Sequence, residues 1–369
     1  MINTDIIHCG DANFKNFWNS FMINNKNAGP YYSLLFQEQI LHYSSENQAE
    51  NLSFVITYEL KPVAIVPLIM EHKQKYKMFS AVLSFNTFYG PCISMALGSK
   101  FRKKIRSLAF HKIDDLAKKY GVSKALISID PFEYYVEDSY YNYLLFYGYM
   151  DASISTVLVD LKQSIEKLRA GRRKHYKALI NKAYATYNFI VVNKDNPDYK
   201  IHEHYRSLHA KASGRITRHK RTFDLQYESL LKGDATLIGV QYNKDILQID
   251  YFDHYNGYVF YSSSADDPDF SESDVVTSHA LIWYSIEYFK SKGFRYYELG
   301  RQYFYSQFFN NPSEKEINIS FFKRGFGGSI IPLFRGIKYY DVELMKTDMN
   351  DNLLNLIDGW HKHNARNET

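Results

Sequence analysis

The sequence predicts an α+β protein that contains two tandem copies of one unit: a meander of antiparallel strands, then a helix, then another strand. The first observation is the length of 369 residues, which exceeds the roughly 250–300 residues at which single cores tend to divide. The second is that β-branched and aromatic runs alternate with short turns in both halves, and the third is one helical pattern after each set of runs. We therefore expect mixed, mostly antiparallel sheets with flanking helices.

The meander of the second half is marked by three runs rich in β-branched and aromatic residues. These runs occupy 235–242, 246–255 and 258–264. The last two are separated by Asn256-Gly257, which is a strong hairpin signal because both central residues of a type I′ turn need a positive φ. Three antiparallel strands are expected here.

A helix and a strand are predicted to follow this meander. Apolar residues recur at helical spacing from Val275 to Phe289, with Ser271 and Ser273 as N-cap candidates and Gly293 as the stop signal. The run 295–300 then predicts a strand. A helical pattern also precedes the meander, from Ile201 to Ala212.

The first half repeats this order with little sequence identity. A helical pattern at 36–43 precedes it, and the tight turn is placed at Lys61-Pro62. A helix from about Lys100 to Tyr120 is expected to be capped by Ser99 and ended by Gly121. The strands of this half are predicted at 51–60, 62–71, 77–85 and 123–130.

The two copies are joined by a cationic helical segment. Residues 163–187 have helical character that breaks at Ala170-Gly171. We expect a first domain at 1–162, a basic helical connector at 163–190 and a second domain at 191–369 that ends in a helix. The chain lacks a Pro/Ser-rich linker, so the domains are expected to pack together, with a ligand in the cleft between them.

Composition narrows the class of protein. Aromatic residues make up 17% of the chain, which excludes a disordered protein, and the net charge of +5 permits an anionic ligand without indicating nucleic acid. Cys9 and Cys92 form no CxxC and have no nearby His at ligand spacing, so neither a disulfide framework nor a metal site is predicted. The N-terminus lacks a signal-peptide pattern and no apolar run approaches the ~18 residues of a membrane span. A cytoplasmic protein is expected, and peripheral membrane association stays open.

The order of the elements, together with several short motifs, resembles the FemABX family, whose members are duplicated GNAT (acyl-CoA N-acyltransferase) domains. Any one motif is short, but their joint order covers nearly the whole chain. The residues that carry the resemblance are Tyr89-Gly90-Pro91, Asp160-Leu161, Arg172, Arg173, Lys182-Ala183, Glu298-Leu299-Gly300 and the sequence FKRGFGG at 322–328.

The resemblance implies transfer of an aminoacyl group from aminoacyl-tRNA to an amine of a peptidoglycan or other cell-envelope precursor. It implies no tightly bound cofactor, because the acyl donor is a co-substrate. In this family the Lys of the Phe-Lys pair is thought to lie near the reacting carbonyl, and by position that residue is Lys323, preceded by Phe322.

The chemistry of such a transfer gives these residues a role. An amine that attacks an ester needs a proton acceptor, close positioning and donors aimed at the developing oxyanion. Lys323 would supply the positive charge, and Glu298, near the end of a predicted strand, is the candidate base. The alternative for Glu298 is a structural carboxylate paired with Arg295 or Arg301. Asp250, on a central predicted strand, is a second carboxylate candidate.

Further side chains are candidates for substrate binding. Tyr261 and Ser263 are predicted to share a face of their strand, because side chains alternate with a period of two. His209 lies on a predicted helix, Arg215 begins the basic segment 215–221, and Arg301 follows the strand that carries Glu298. For each of them a packed or solvated residue without function is the alternative. The basic segments 172–177 and 215–221 could contact the backbone of a tRNA or of a nucleotide diphosphate, but solvated surface is the favoured interpretation.

The sequence departs from the pattern of acetyl-CoA-dependent GNAT domains. Those domains hold the pyrophosphate at a helix N-terminus after a Gly-rich loop. Here the corresponding segment 265–274 carries five carboxylates, and 91–100 matches no fingerprint despite Gly98-Ser99-Lys100. Acyl-CoA is therefore a disfavoured donor. The helical arm that some Fem enzymes carry is also missing, which weighs against tRNA as the donor without excluding it.

Two rival functions follow from these departures. One is an acyltransferase that uses acyl-CoA or acyl-carrier protein on an amino sugar or another small amine. The other is a non-catalytic protein that binds an anionic glycan or a nucleotide.

Overall fold

A computed structural model describes residues 4–43, 48–80, 88–136, 140–270, 276–305 and 307–367. Within these ranges the helices are α1 Phe14–Asn24, α2 Leu34–Tyr43, α3 Ser99–Tyr120, α4 Ile165–Gly171, α5 Lys174–Thr186, α6 Tyr199–Ser213, α7 Lys220–Lys232, α8 Thr277–Ser291, α9 Glu314–Lys323 and α10 Val342–Asn367.

The strands of the same ranges alternate with these helices. They are β1 Thr4–His8, β2 Ala49–Asn51, β3 Phe54–Tyr58, β4 Lys61–Val66, β5 Ile69–His72, β6 Lys77–Phe79, β7 Phe88–Tyr89, β8 Cys92–Ile93, β9 Val122–Ser128, β10 Met150–Asp151, β11 Ile154–Asp160, β12 Asn188–Val192, β13 Ala235–Tyr242, β14 Asp245–Tyr255, β15 Tyr258–Asp266, β16 Tyr296–Gln302, β17 Ser329–Leu333 and β18 Arg335–Tyr339.

The chain forms two compact units, and each unit combines segments that are far apart in the sequence. The first unit contains 1–155, 302–318 and 332–369, and the second contains 156–301 and 319–331. The predicted boundaries at 162 and 190 divide the chain into consecutive segments, whereas these units group residues that pack together. Strand exchange explains the pattern, because β11 joins the sheet of the second unit while β18 pairs with β9 and β10 of the first. The helices α4 and α5 fall in the second unit, and α10 falls in the first.

The first unit contains two sheets. One has the order β1-β3-β4-β8, and the other has the order β10-β18-β9-β6-β5-β2 with β7 also beside β9. The predicted run 62–71 is divided between them, because β4 belongs to the first sheet and β5 to the second.

Two local predictions for the first unit are wrong. The turn before β4 is made by Glu59 and Leu60, both with positive φ, and Pro62 lies within β4 opposite Thr57. Gly98, not Ser99, is the N-cap of α3, and Ser99 is the first helical residue. Gly121 ends α3 in the left-handed conformation, as predicted.

The sheet of the second unit has the order β12-β13-β14-β15-β16-β11-β17. The meander β13-β14-β15 confirms the three predicted strands, and Asn256 and Gly257 both have positive φ, as the type I′ turn requires. The helix predicted next is α8; its N-cap candidates Ser271 and Ser273 lie outside the described residues.

The two faces of this sheet are covered by different helices. One core cluster joins residues of α5 and α8 to Phe252, Tyr297 and Leu299 of the sheet. Another joins α6 and α7 to Ile249 and Tyr251. We call these the α8 face and the α6 face.

The turn that follows α9 depends on Gly328. Its φ is +84°, and a Cβ added there would lie 2.6 Å from the carbonyl oxygen of Leu158 on β11. Both the backbone conformation and the close approach of a neighbouring strand therefore exclude a side chain at this position.

We expect Gly328→Ala to lower the free energy of unfolding by about 2 kcal/mol or more, since a left-handed non-glycine residue and an overpacked contact each cost about 1–2 kcal/mol. Urea denaturation followed by circular dichroism measures this loss. The matched control is Gly171→Ala, where φ is not positive and the nearest atom to an added Cβ is 3.8 Å away. Equal stability of the two variants would contradict the assignment.

Candidate functional site

The candidate site lies where two neighbouring strands of the second unit stop pairing. β15 and β16 are parallel, and their register covers Tyr258 with Tyr296, Val259 with Tyr297, and Phe260 with Glu298. Beyond these positions β15 continues from Tyr261 and β16 from Leu299, without a register between them. A gap between adjacent strands makes room for a side chain from another element of the fold.

Lys323 lies at this gap. It is the last residue of α9, and its Nζ is 5.0 Å from the centroid of the Tyr261 ring on β15. On the other side of the gap a Cβ added to Gly300 would lie 2.8 Å from Nζ, and Gly300 has a φ of +103°. The absence of a side chain at position 300 is therefore what leaves room for the ammonium group.

The ammonium of Lys323 is poorly solvated. Desolvation lowers its pKa from the ordinary 10.5 to about 8, and the positive charge of Arg301 acts in the same direction. The carboxylates of Glu298 and Asp250 oppose this change by stabilising the charged form. At neutral pH most of the amine is therefore still protonated and carries a positive charge.

Glu298 faces the α6 side of the sheet. It lies between Tyr297 and Leu299, which pack on the α8 face, so the alternation of side chains turns Glu298 the other way. The carboxylate is buried, and its Oε1 accepts a hydrogen bond of 2.7 Å from the hydroxyl of Thr156 on β11. The exchanged strand thus supplies the group that orients this carboxylate.

Asp250 faces the α8 side of the same sheet. It precedes Phe252 by two residues on β14, and Phe252 belongs to the α8-face core. Its side chain is fully buried, and burial raises its pKa to about 7. Hydrogen bonding with the nearby Ser264, Gln248 and Tyr261 lowers the pKa but does not outweigh burial. The two carboxylates that stabilise the charge of Lys323 therefore lie on opposite faces of one sheet.

An aromatic cluster fixes the turn that carries Lys323. The hydroxyl of Tyr176 on α5 donates to the carbonyl of Phe322 at 3.0 Å, and the backbone N–H of Arg173 donates to the carbonyl of Gly325 at 2.8 Å. The ring of Phe322 packs edge-on to His279 of α8, with centroids 4.8 Å apart. These contacts with α5 and α8 hold Phe322 in place and thereby position the adjacent Lys323.

The structure separates Tyr261 from Ser263, which corrects the prediction that they share a face. The register of β14 and β15 shifts between Tyr251 and Phe252, so that Ser262 is an extra residue of a β-bulge. Tyr261 consequently packs on the α8 face, whereas Ser263 hydrogen-bonds the hydroxyl of Tyr205 from α6. Only Tyr261 of this pair lies beside Lys323.

His209 and Arg215 also lie away from Lys323. The ring of His209 packs against Tyr205 and Phe223 on the α6 face, and burial lowers its pKa to about 4, so the imidazole is neutral. Arg215 is exposed between α6 and α7. Arg301, by contrast, is close enough to Lys323 to influence its charge.

Most cations of the segment 215–221 have partners within the protein. Arg218 is buried and donates to the Tyr205 hydroxyl and to Gln226, each at 3.2 Å. Lys220 and Arg221 form ion pairs with Asp224 and Glu228.

In the segment 172–177 the pattern differs. Arg172 stacks on Trp283 and Arg173 on Phe321, whereas Lys174 and Lys177 of α5 are exposed. Each segment has two exposed Lys or Arg side chains, but in the segment 215–221 one of them, Lys220, is paired with Asp224.

Some residues of the site gave no signal in the sequence. Thr156 lies in an apolar strand run of the first half, and only the strand exchange brings it to Glu298. Gly300 belongs to a recognised motif, but its contact with Lys323 depends on the folded turn. Tyr176 lies within a basic helical pattern, where its buried hydroxyl contact to residue 322 cannot be foreseen.

Two features are absent from the described part of the chain. No helix there is long and apolar enough to cross a membrane. No group of three or more His, Cys, Asp or Glu side chains in that part is arranged to hold a metal ion.

Comparison with solved structures shows which known proteins share this fold. The chain superposes on FemX with a TM-score of 0.61, at 10% identity, over 93% of this chain and 99% of that one. It superposes on the C-terminal domain of a putative lysylphosphatidylglycerol synthetase from Agrobacterium fabrum with a TM-score of 0.58, at 11% identity, over 93% and 94% of the two chains.

A third superposition extends the comparison. L-PGS from Bacillus licheniformis matches with a TM-score of 0.52, at 13% identity, over 86% of this chain and 95% of that one. No protein-family model and no curated protein matches the sequence. The chain has the FemABX-like, duplicated-GNAT fold, which confirms the fold predicted from the sequence.

We expect the Lys323 amine to titrate near pH 8, and Glu298→Gln to lower its pKa further, because the lost carboxylate favours the charged form. NMR of protein labelled with ¹³C at the lysine Cε measures both values, with Lys323→Met identifying the resonance. Exposed Lys244, at the β13–β14 turn, is the internal control. A Lys323 pKa that stays above 10, or that rises in the Gln variant, would contradict this electrostatic description.

Proposed function

We propose that this protein is an N-acyltransferase that moves an aminoacyl group from aminoacyl-tRNA to an amine of a cell-envelope precursor, such as a peptidoglycan precursor. The observation that carries the proposal is the position of Lys323: a partly buried cation in a strand gap, between carboxylates on both faces of the sheet. The fold shared with FemX supports the same class of reaction.

The role of Lys323 is to stabilise negative charge on the carbonyl oxygen. When an amine attacks an ester carbonyl, the oxygen becomes an oxyanion, and a cation already fixed in a poorly hydrated site stabilises it without reorganisation. Tyr261, Gly300 and the aromatic cluster around Phe322 hold the ammonium group in place. Arg301 adds positive charge nearby.

Glu298 is proposed as the proton acceptor for the attacking amine. It is the carboxylate with the largest stabilising effect on the charge of Lys323, so it lies close to where the oxyanion forms. The hydrogen bond from Thr156 fixes its orientation. The amine loses its proton to Glu298 as the C–N bond forms, and Glu298 gives this proton to the leaving tRNA hydroxyl oxygen as the ester C–O bond breaks.

A tRNA ester suits this site better than an acyl-CoA thioester. The strand leading to α8 ends at exposed Asp266, and Asp267 and Asp269 follow it. Lys211 pairs with Asp267 and Asp269, at 2.5 and 2.7 Å, which leaves little positive potential for a pyrophosphate. Exposed Lys174 and Lys177 of α5 provide cations for a phosphate backbone instead.

The direct test is a transfer assay. Purified protein, tRNA charged with radiolabelled amino acids and a precursor peptide with a free amine should give a labelled amide. Lys323→Met should reduce kcat by roughly 10²–10³, the cost typical of losing one oxyanion-stabilising group, while donor affinity changes little.

Lys244→Met, at an exposed turn, is the matched control and should keep full activity. Full activity of Lys323→Met would refute the mechanism. Transfer from acetyl-CoA to glucosamine, with none from charged tRNA, would refute the proposed donor.

Salt dependence tests the contact with tRNA separately. We expect tRNA affinity to fall steeply with salt, and Lys174→Ala with Lys177→Ala to reduce the slope of log K against log[salt] by about 1.4–1.8, at about 0.7–0.9 for each lost phosphate contact. Fluorescence anisotropy at several salt concentrations measures the slope.

Arg221→Ala is the control for this comparison, because Arg221 is already paired with Glu228 at 2.6 Å. Its slope should match that of the unmodified protein. An unchanged slope in the double Lys variant would exclude α5 from the tRNA contact.

A further inference from the structure

Two adjacent apolar side chains of the first unit, Leu145 and Phe146, are exposed to solvent. They belong to one turn of 3₁₀ helix, Tyr143–Tyr147. Phe146 is 78% exposed, more than any other described Phe, Tyr or Trp, and Leu145 is 49% exposed. The ring of Tyr141, which is also exposed, lies edge-on to the Phe146 ring with centroids 6.1 Å apart. Single exposed apolar residues are ordinary, but a cluster of them is typical of a surface that binds another molecule.

Aromatic contacts on both sides of the exposed pair hold this turn against α3. The guanidinium of Arg106 lies 4.1 Å from the centroid of the Tyr143 ring. The rings of Phe110 and Tyr147 are stacked, with centroids 4.2 Å apart. The exposed pair is therefore presented from a fixed position beside the helix, and a partner that binds it does not first have to order a loop.

The part of α3 beside this turn is strongly cationic. Between residues 99 and 113 the sequence has six Lys or Arg residues and no Asp or Glu. Lys103 is exposed and lies on the same side of the helix as Phe110, which follows seven residues later. Lys100, also exposed, neighbours Lys103 because it precedes it by three residues. Exposed cations thus lie next to the exposed apolar pair.

The first carboxylate of α3 is already paired within the protein. Asp114 forms an ion pair of 2.8 Å with Lys338 of β18. Lys338 also donates to the carbonyl of Tyr147 at 2.8 Å, which ties β18 to the same turn. The surface formed by Leu145, Phe146 and the exposed lysines of α3 therefore favours a partner that has both negative charge and an apolar part.

An anionic lipid bilayer has both properties. Its headgroups attract Lys and Arg side chains, and apolar side chains penetrate roughly 5–10 Å into the boundary between headgroups and acyl chains. A nucleic acid would contact the lysines and stack on Phe146, but it offers no comparable partner to the aliphatic side chain of Leu145. The bilayer is therefore the partner that uses every exposed group of this surface.

We propose that the first unit carries a membrane-docking surface, in which Leu145 and Phe146 insert into an anionic bilayer while Lys100 and Lys103 contact its phosphate groups. Docking of this kind needs no membrane-spanning helix. The inference goes beyond the proposed function and does not depend on it, because none of these four residues takes part in the chemistry assigned to Lys323.

Co-sedimentation with lipid vesicles tests this surface. The full chain should sediment with vesicles of phosphatidylcholine mixed with phosphatidylglycerol, and much less with phosphatidylcholine alone. Phe146→Ser should lower the partition coefficient for the mixed vesicles by about tenfold or more, because the apolar area that this ring buries in the bilayer is lost. Lys100→Gln with Lys103→Gln should lower it by about fivefold for each lost cation, and added salt should weaken binding of the unmodified protein.

Two matched controls separate this surface from non-specific adsorption. Ile23→Ser removes an apolar side chain that is 73% exposed near the end of α1. Lys118→Gln with Lys119→Gln removes two exposed cations from the other end of α3, about 22 Å from Lys103 along the helix axis. Both control variants should bind the mixed vesicles as the unmodified protein does, and circular dichroism checks that every variant is folded.

Failure of the unmodified protein to sediment with the mixed vesicles would overturn the proposal. Equal binding by Phe146→Ser and the unmodified protein, or equal losses in the control variants, would also overturn it. A dimer that Phe146→Ser abolishes, without vesicle binding, would assign the surface to a second copy of this chain. Binding of tRNA that only the Lys100 and Lys103 variant loses, again without vesicle binding, would assign it to nucleic acid.

The transfer assay distinguishes this inference from the proposed function. Vesicle binding that depends on Phe146, together with no transfer from charged tRNA, would refute the function and leave the docking surface standing. Transfer by a protein that binds no vesicles would refute the docking surface and leave the function standing.

Discussion

The separation of β15 from β16 is the constraint on which the site depends. Three paired positions hold the strands together, and beyond Phe260 and Glu298 their backbone groups no longer face each other in register. Lys323 lies at this gap, with its amine against Tyr261 on one strand and Gly300 on the other. A continuous sheet would leave no room for a cation between its strands.

Elements that are far apart in the sequence together stabilise the positive charge of Lys323 in this gap. Glu298 and Asp250 stabilise the ammonium from opposite faces, and Thr156 orients Glu298 from the exchanged strand β11. Tyr176 and the Phe322 ring hold the turn behind the lysine. Desolvation outweighs the effect of these carboxylates, so the pKa of the amine stays below its ordinary value. An oxyanion beside the ammonium group would offset part of the free-energy cost of this desolvation.

Local signals predicted the elements around the site. Asn256-Gly257 located the β14–β15 hairpin, and apolar periodicity located α6 and α8, because turn chemistry and helical spacing act within a few residues. The bulge at Ser262 was not visible, since a single extra residue in a strand leaves the composition unchanged. That one residue reversed the predicted face of Ser263 relative to Tyr261.

Local sequence signals cannot predict contacts between segments that are far apart in the sequence. Strand exchange places β11 and β18 in sheets that the chain order does not suggest, so Thr156 could not be connected to Glu298. Lys323 and Glu298 were selected through a resemblance, and spacing alone would not have paired them. Asp250 was visible as a carboxylate on a central strand, but its effect on the charge of Lys323 depends on where the fold places the end of α9.

The central claim is that Lys323 meets the oxyanion of the transfer reaction. A crystal structure with a phosphonate analogue of the tetrahedral intermediate, linking an aminoacyl adenosine to an amine, tests it most directly. The account predicts a phosphonate oxygen about 2.7–3.1 Å from Lys323 Nζ, in the gap between β15 and β16. An analogue bound elsewhere, or bound there with Lys323 turned away from the phosphonate, would contradict it.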